Sequence, residues 1–537
     1  MKRFIDDYTN ESFDIIVIGG GITGAAVAYD AASRGLSVAL VEKTDFSCAT
    51  SAATSKVIHG GLRYLKNLEF GLVRESLGER RIMENIAPNF VYPTRFMFIN
   101  PKLVMKIGLF LYDLLAFDKG FTWDKSKRIP NHYPLSRERV IEEEPNAKRD
   151  GLKGARVFYD CHCIFPERLT LTFIKSAVHY GAKVSNYAKV EDFFIEEGNR
   201  VTGVVVRDHV NNRSHTIRGR ITVNCTGPWA DIVLKLAKKD DPHEKIRRSE
   251  GIHLIVKKLV NAHAVGTMTK TSHFFLIPWR RHSLIGTTDK EYDGYPDDYH
   301  VTRQSIQELL DTVNMRFGND NPIQYSDVLF AYGGLRPLLD ARGKDVHTTT
   351  RKYEIFDHAD EGLRGLITVE GGKYTTSRNL AQNVLKVVEK RLGKKPGRCR
   401  TGKHRLIGCD IGDIEKFIND IKRGNSDFAG TTVEYLGRNY GTEYDEVLKL
   451  ARQDARLAET VNDDGEILAQ VVYAIEHEMA VTLKDILLRR TGIGTLGNPG
   501  EKVVAKIAEI AARELKWSPE RKKSEILEAE KAFKLPE

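Results

Sequence analysis

The sequence predicts an α/β chain built on a Rossmann-type dinucleotide-binding unit, with an interleaved α+β part and an all-helical C-terminal cap. Three observations predict it. Near the N-terminus, "DIIVIGGGITGAAVAYDAASRGLSVALVEK" reads as strand, glycine-rich turn, helix and second strand. Two later stretches, "RGRITVNCTGPWA" (218–230) and "LRGLITVEGGKYTTSRNLAQNVLKVVEKRL" (363–392), each run from a strand into a turn. Beyond the basic, glycine-bearing "EKRLGKKPGRCRTGKHRL" (389–406), which reads as a linker, apolar residues recur at helical spacing.

The opening unit carries Gly19, Gly21 and Gly24. The first makes the tight turn, the second lets backbone approach a pyrophosphate, and the third allows helix and strand to pack closely. The helix N-terminus then faces the phosphates with its partial positive charge. Glu42 ends the second strand at the distance expected of the acid that holds a ribose hydroxyl. NAD and FAD share this fingerprint. The later units favour FAD: with the first they give three strand ends that could converge on one long cofactor. A helix starting after Gly371-Gly372 would direct its dipole at the negative charge of a reduced flavin.

At 537 residues the chain has room for roughly three domain-sized units. It is 41% hydrophobic and 29% charged, as a folded protein is, and its net charge of +9 favours anionic partners. Six cysteines make a poor disulfide framework and "MKRFIDDYTNESF" has no apolar signal region, so a reducing cytoplasm is expected. Cys161-His162-Cys163 lacks a second ligand pair, and no metal is expected. Nor does any RNP, helix-turn-helix or zinc module suggest nucleic acid. "YDEVLKLARQDARLAETV" and "EILAQVVYAIEHEMAVTLKDILLRRTG" predict two helices of the cap, the second stopped by Gly492.

One stretch asks for an anion. In "SKVIHGGLRYLK" (55–66) a glycine pair separates His59 from Arg63 and Tyr64, and an Arg on such a bend suits phosphate oxygens.

With "ATSAATSKVIHGGLRYLK", "VNCTGPWAD", "FLIPWRRHSLIGTTD", "YGGLRPLLD", "EGGKYTTSR" and "EHEMAVTLKDILLRRTGIG" following the glycine fingerprint in order, nearly the whole chain resembles the FAD-dependent glycerol-3-phosphate dehydrogenases and the related oxidases. Ala26, Ser377 and the turn "CHCIFPERL" depart from the family pattern. The resemblance implies oxidation of glycerol 3-phosphate, with hydride passing from C2 to FAD N5. Electrons would go on to membrane quinone, or to oxygen in an oxidase, whose usual insertion is absent at this length. It places Arg63, Tyr64, Arg336, Arg351, His253 and Lys373 at the substrate, with His253 favoured as base and Lys373 as ligand. At the cofactor it places Gly19, Gly21, Gly24, Glu42, Ser51, Ser55, Gly61, Leu62, Val190, Thr226, Gly227, Gly372 and Thr375. Residues 1–395 are expected to hold interleaved FAD and substrate domains, the FAD parts near 12–95, 165–235 and 350–392, and residues 396–537 the helical cap.

"KLVMKIGLFLYDLLAF" (102–117) is too short and too charged to span a bilayer. It is expected to lie shallowly on the cytoplasmic face of the cell membrane, an internal core helix being the alternative. Membrane surface and quinone are thus the expected partners, a homodimer being left open.

Overall fold

The computed structural model describes residues 1–239, 246–268, 273–317, 322–338 and 352–537. Ser12–Ile18 is the first strand of an eight-stranded sheet, buried from Ile15 onward as an apolar run between parallel neighbours should be. Its path runs Tyr353–Asp357, Leu366–Gly371, Arg213–Asn224, Ser12–Ile18, Val38–Val41, Lys183–Ser185, with Ala188–Glu196 and Arg200–Asp208 joining antiparallel beside Arg213–Asn224. Ile18 pairs with Asn224, and Asn224 with Thr368, all in parallel register. The three strand ends singled out in the sequence therefore open side by side, where ligands of such sheets bind.

Helix Ile22–Ser33 follows the first strand. Its small residues, Ala26 among them, are buried almost all round, so Pro166–His179 and Ser377–Leu392 pack closely on it. Ser377 is likewise buried. The departure at 161–168 is a strand end leading into Pro166–His179, where Glu167 pairs with Lys56 at 2.9 Å and Arg168 with Glu478 at 2.9 Å.

A second, ten-stranded sheet takes its strands from 57–163 and 247–338. Val57–Ile58 and Val91–Ile99 belong to it, so the chain leaves the first sheet twice and returns twice. At one side Arg247–Lys257 runs antiparallel to both His282–Gly286 and Val328–Leu338. Helix Leu103–Leu115 lies against helix Phe70–Ile86 and turn Leu62–Asn67 with Leu109 and Tyr112 buried, and Tyr112 Oη donates to Asp160 of strand Gly154–Cys163 at 2.7 Å. Its other face is bare: Leu103, Val104, Ile107, Phe110 and Leu114 are each more than half exposed. It is therefore not an internal core helix. No helix among the described residues is long and apolar enough to cross a membrane.

Past 393–413, which carry no regular element, the chain is helical from Ile414–Gly424 to Pro519–Phe533. Two expectations are corrected there. The run expected as one helix over 444–461 ends at Gln453, and Asp454 starts a separate tight turn, Ala455–Ala458, by accepting from the Arg456 N–H. The run expected as a single helix to Gly492 breaks after Ala469–Glu478, where Met479 turns left-handed at φ 57°. It restarts at Thr482, whose hydroxyl accepts from the Asp485 N–H while Asp485 accepts from the Thr482 N–H. The break lets Glu478 meet Arg168, while Arg489 and Arg490 both reach Asp45 of the first part at 2.6 and 2.7 Å. Burial of three charges at one contact outweighs helix continuity.

Candidate active site

The glycines form a cradle that side chains would fill. A Cβ on Gly19 (φ +107°) would stand 2.7 Å from the Cys225 carbonyl, and one on Gly24 1.9 Å from the Gly19 carbonyl. Gly21 precedes the helix, whose Ile22 N–H donates to Ser51 Oγ at 2.9 Å. Glu42 accepts from the N–H groups of Gly20 (2.7 Å) and Thr44 (2.9 Å), which fixes its carboxylate and leaves lone pairs for a ribose.

The cradle opens into a cavity of about 1170 Å³. Ser55, Gly61, Leu62, Val190, Thr226, Gly227, Gly372 and Thr375 line it beside Gly19, Gly21, Glu42 and Ser51, and so do Arg63, Tyr64, His253, Arg336 and Lys373. Gly24 lies beneath it as packing, and Arg351 falls outside the described residues. The volume exceeds the usual range for a single small-molecule pocket, so a cofactor and a small substrate can share it.

Gly60 and Gly61 explain how the cations get there. A Cβ on Gly60 would meet Tyr112 Oη at 2.3 Å, and the Gly60 N–H donates to Asp160, itself held by Arg80 and by Tyr112, each at 2.7 Å. Gly61 turns left-handed (φ 78°) and starts the tight turn Leu62–Asn67. Arg63 there donates to Tyr64 Oη at 3.2 Å, and Lys373 Nζ, bonded to Ser76 Oγ, lies 4.8 Å from the centre of the Tyr64 ring. Burial lowers the Lys373 pKa, and Arg63 adds to that. His59 faces the same space. Burial first, then Lys373, Arg63 and Arg80, hold it down to about 3, so it is a neutral imidazole among cations. Its place directly before the Gly60-Gly61 pair is the local signal that marks His59 in the sequence.

In the same cavity, Arg336 donates to Thr287 Oγ1 (2.6 Å) and to the carbonyls of Thr288 (3.1 Å) and Glu250 (3.2 Å), with Asp289 at 3.5 Å. His253 is only 1% exposed. Its Nε2 lies 2.8 Å from Ser55 Oγ, and its ring stacks on Tyr332 at 5.0 Å. Burial, with Arg336 and Lys56 nearby, holds its pKa well below the usual value.

Residues 14–378 match the family described as FAD dependent oxidoreductase, and residues 399–522 match the C-terminal domain of alpha-glycerophosphate oxidase. A glycerol-3-phosphate dehydrogenase of Synechocystis sp. is 33% identical over 97% of this chain and 96% of its own length. The chain belongs to the FAD-dependent glycerol-3-phosphate dehydrogenase family. The aerobic glycerol-3-phosphate dehydrogenase of Staphylococcus aureus (strain USA300) is 33% identical over 90% of this chain and 87% of its own. In structure, the glycerol-3-phosphate dehydrogenase from Bacillus halodurans complexed with FAD superposes with a TM-score of 0.80 at 28% identity, over 99% of this chain and 97% of that one.

For a dehydrogenase of this family the cradle fits FAD by its own chemistry. Three close-approach glycines, a helix N-terminus with no acidic residue in its first turn, and an oriented carboxylate suit a pyrophosphate and a ribose. Gly372, at φ +92° before the turn Tyr374–Thr376 and helix Ser377–Leu392, presents backbone without a side chain at the far end.

Proposed function

We propose that this chain oxidises sn-glycerol 3-phosphate to dihydroxyacetone phosphate and passes the electrons to a membrane quinone. One observation carries the reading: a single cavity joins the dinucleotide cradle to Arg63, Lys373 and Arg336, cations suited to a phosphorylated polyol, and to the Ser55–His253 pair. When bound, FAD supplies at N5 the two-electron acceptor for the hydride of C2. Arg336 and Arg63, with Arg351 by resemblance, hold the phosphate, and Tyr64 and Lys373 orient the polyol. The proton of the C2 hydroxyl leaves through Ser55 Oγ to Nε2 of His253, 2.8 Å away on the same cavity wall. Charge on the substrate phosphate offsets Arg336, the largest nearby cation opposing protonation of His253.

The exposed face of Leu103–Leu115, continued by Phe117, Phe121, Leu68 and Phe70, is where this enzyme meets the bilayer. Turn Leu62–Asn67, which carries Arg63 and Tyr64, packs against that helix, so a quinone leaving the membrane would arrive near the substrate loop. Exposed Lys102 and Lys106 suit anionic lipid on the cytoplasmic face. Interleaved domains over 1–395 and a cap over 396–537 remain our division of the chain.

The test is anaerobic bleaching of the yellow holoprotein by glycerol 3-phosphate, followed by reoxidation with quinone or with oxygen. Bleaching with quinone turnover supports the proposal. Peroxide formation at a comparable rate assigns the chain to the oxidases, and failure to bleach removes glycerol 3-phosphate as substrate.

A further inference from the structure

Two side chains of this cavity lie across glycines of the same sheet. On the Arg247–Lys257 and Val328–Leu338 ladder, Gly251 pairs with Gly334 and Ser249 with Arg336. The Arg336 guanidinium folds over Gly251, where a Cβ would stand 1.8 Å from Nη2, 2.3 Å from Cζ and 2.5 Å from Nη1. His253, two residues on, pairs with Gly286 of the strand on its other side. A Cβ on Gly286 would stand 2.2 Å from Cδ2 of that ring and 3.0 Å from Cγ and Nε2. Neither glycine has a positive φ, so no left-handed backbone calls for it. Glycine in a strand interior weakens the strand and marks a place where something approaches closely.

We propose that Gly251 and Gly286 are positioning residues, the floors on which Arg336 and His253 lie, and that each governs a different kinetic constant. The inference rests on the reading of the site given above. With a methyl at 251 the guanidinium must leave, since an arginine tip swings more cheaply than the ladder shifts. It would then lose its bonds to Thr287 Oγ1 (2.6 Å) and the Thr288 carbonyl (3.1 Å), and the substrate anion would lose a fixed cation. With a methyl at 286 the imidazole must tip, and it is a short, stiff side chain already stacked on Tyr332. Its contact to Ser55 Oγ, 2.8 Å long, would lengthen, which affects proton removal, whereas the three atoms nearest that methyl all belong to His253 and none to Arg336.

The experiment compares Gly251→Ala and Gly286→Ala with Arg336→Ala and His253→Ala as FAD-loaded proteins. It reads FAD content, Tm, KM, the rate of flavin reduction by glycerol 3-phosphate, and calorimetric affinity for dihydroxyacetone phosphate. Gly251→Ala should raise KM and weaken product binding about tenfold with the reduction rate nearly kept, and Gly286→Ala should slow reduction about tenfold with KM and product binding nearly kept. Adding each glycine change to its partner variant, Gly251→Ala to Arg336→Ala and Gly286→Ala to His253→Ala, should cost nothing further, because the displaced group is gone. A single variant too unstable to purify is judged by that double variant: recovery supports the steric floor and continued misfolding overturns it. Normal constants in the glycine variants beside defective Arg336→Ala and His253→Ala overturn the inference alone. Loss of both constants together in either glycine variant also overturns it, and silent Arg336→Ala and His253→Ala variants overturn the reading with it.

Discussion

Ser55 Oγ and His253 Nε2 stand 2.8 Å apart on the wall of one cavity, and His253 is itself 1% exposed. In the proposed reaction His253 takes the proton through that hydroxyl. Ser55→Ala should therefore slow flavin reduction at neutral pH in the same direction as His253→Ala, which should cost on the order of 10²–10⁴. Ser55→Thr should recover much of the rate. Stopped-flow reduction of the holoprotein decides it: a normal rate in Ser55→Ala disconnects the pair, and a dead Lys373→Ala beside an active His253→Ala makes Lys373 the base.

Arg336→Ala should raise KM while FAD stays bound. The guanidinium contacts Thr287, two carbonyls and Asp289, and none of these belongs to the glycine cradle. Loss of one charge-assisted contact to phosphate costs roughly 1.5–3 kcal/mol, about ten- to a hundredfold in KM. Steady-state kinetics with a parallel FAD absorbance measurement checks it.

What the sequence could tell about this site depended on distance along the chain. Gly19, Gly21, Gly24 and Glu42 act within one βαβ unit, so their spacing already carries the geometry. The neighbouring strand ends at Asn224 and Gly371 were legible because each announces itself by a turn. By contrast Ser55 and His253 are 198 residues apart, and no local pattern records their contact. Resemblance named both residues, but it placed Ser55 at the cofactor and left the pair unseen. The break at Met479 was hidden for another reason: a left-handed residue there is not glycine, and its cause is the distant Asp45 that draws in Arg489 and Arg490. Whether helix Leu103–Leu115 faced the core or solvent could not be told from its composition, which suits both.

That distant carboxylate should hold the cap in place. Asp45 is fully buried, and Arg490 and Arg489 depress its pKa to about 2 despite burial. Because its folded pKa lies below the unfolded one near ~3.9, its contribution is fully present above pH ~4 and is lost as pH falls through about 2. Asp45→Asn should cost about 3–5 kcal/mol at pH 7, the usual effect of leaving a buried charge without its partner. Chemical denaturation of wild type and variant at neutral pH measures it, and equal midpoints would show the contact to be dispensable.

Buried histidines, His253 among them, should weaken the fold in acid, and two of them lie in a readable range. His59 and His162 are both held down to about 3, chiefly by burial, so the folded state keeps them neutral while the unfolded chain protonates them near pH ~6.5. The unfolded state thus binds more protons between those values. Stability is lost as pH falls from ~6.5 toward 3, with each histidine adding ~1.4 kcal/mol per pH unit to the slope. His162→Gln, at a residue whose shift owes nothing to Lys373 or Arg63, should flatten the Tm profile between pH 6 and 4. An unchanged profile would mean that His162 is protonated in the fold.

The apolar face of helix Leu103–Leu115 gives the last expectation. Val104 is 80%, Phe110 62% and Leu114 61% exposed, while Leu109 and Tyr112 on the other side are buried. Such a one-sided face is larger than scattered surface apolar residues produce, and Lys102 and Lys106 stand beside it. It should sink among lipid headgroups while the lysines meet anionic lipid, so holoprotein should sediment with vesicles containing an acidic phospholipid and less so at high salt. Phe110→Glu with Leu114→Glu should abolish sedimentation, leave anaerobic bleaching by glycerol 3-phosphate intact, and slow turnover with vesicle-borne quinone. Bleaching separates a lost membrane contact from a damaged site, because it needs no quinone. If the double variant still sediments at high salt, this helix is not the contact. If wild type never sediments but runs as a dimer that the double variant dissociates, a second copy covers the face instead.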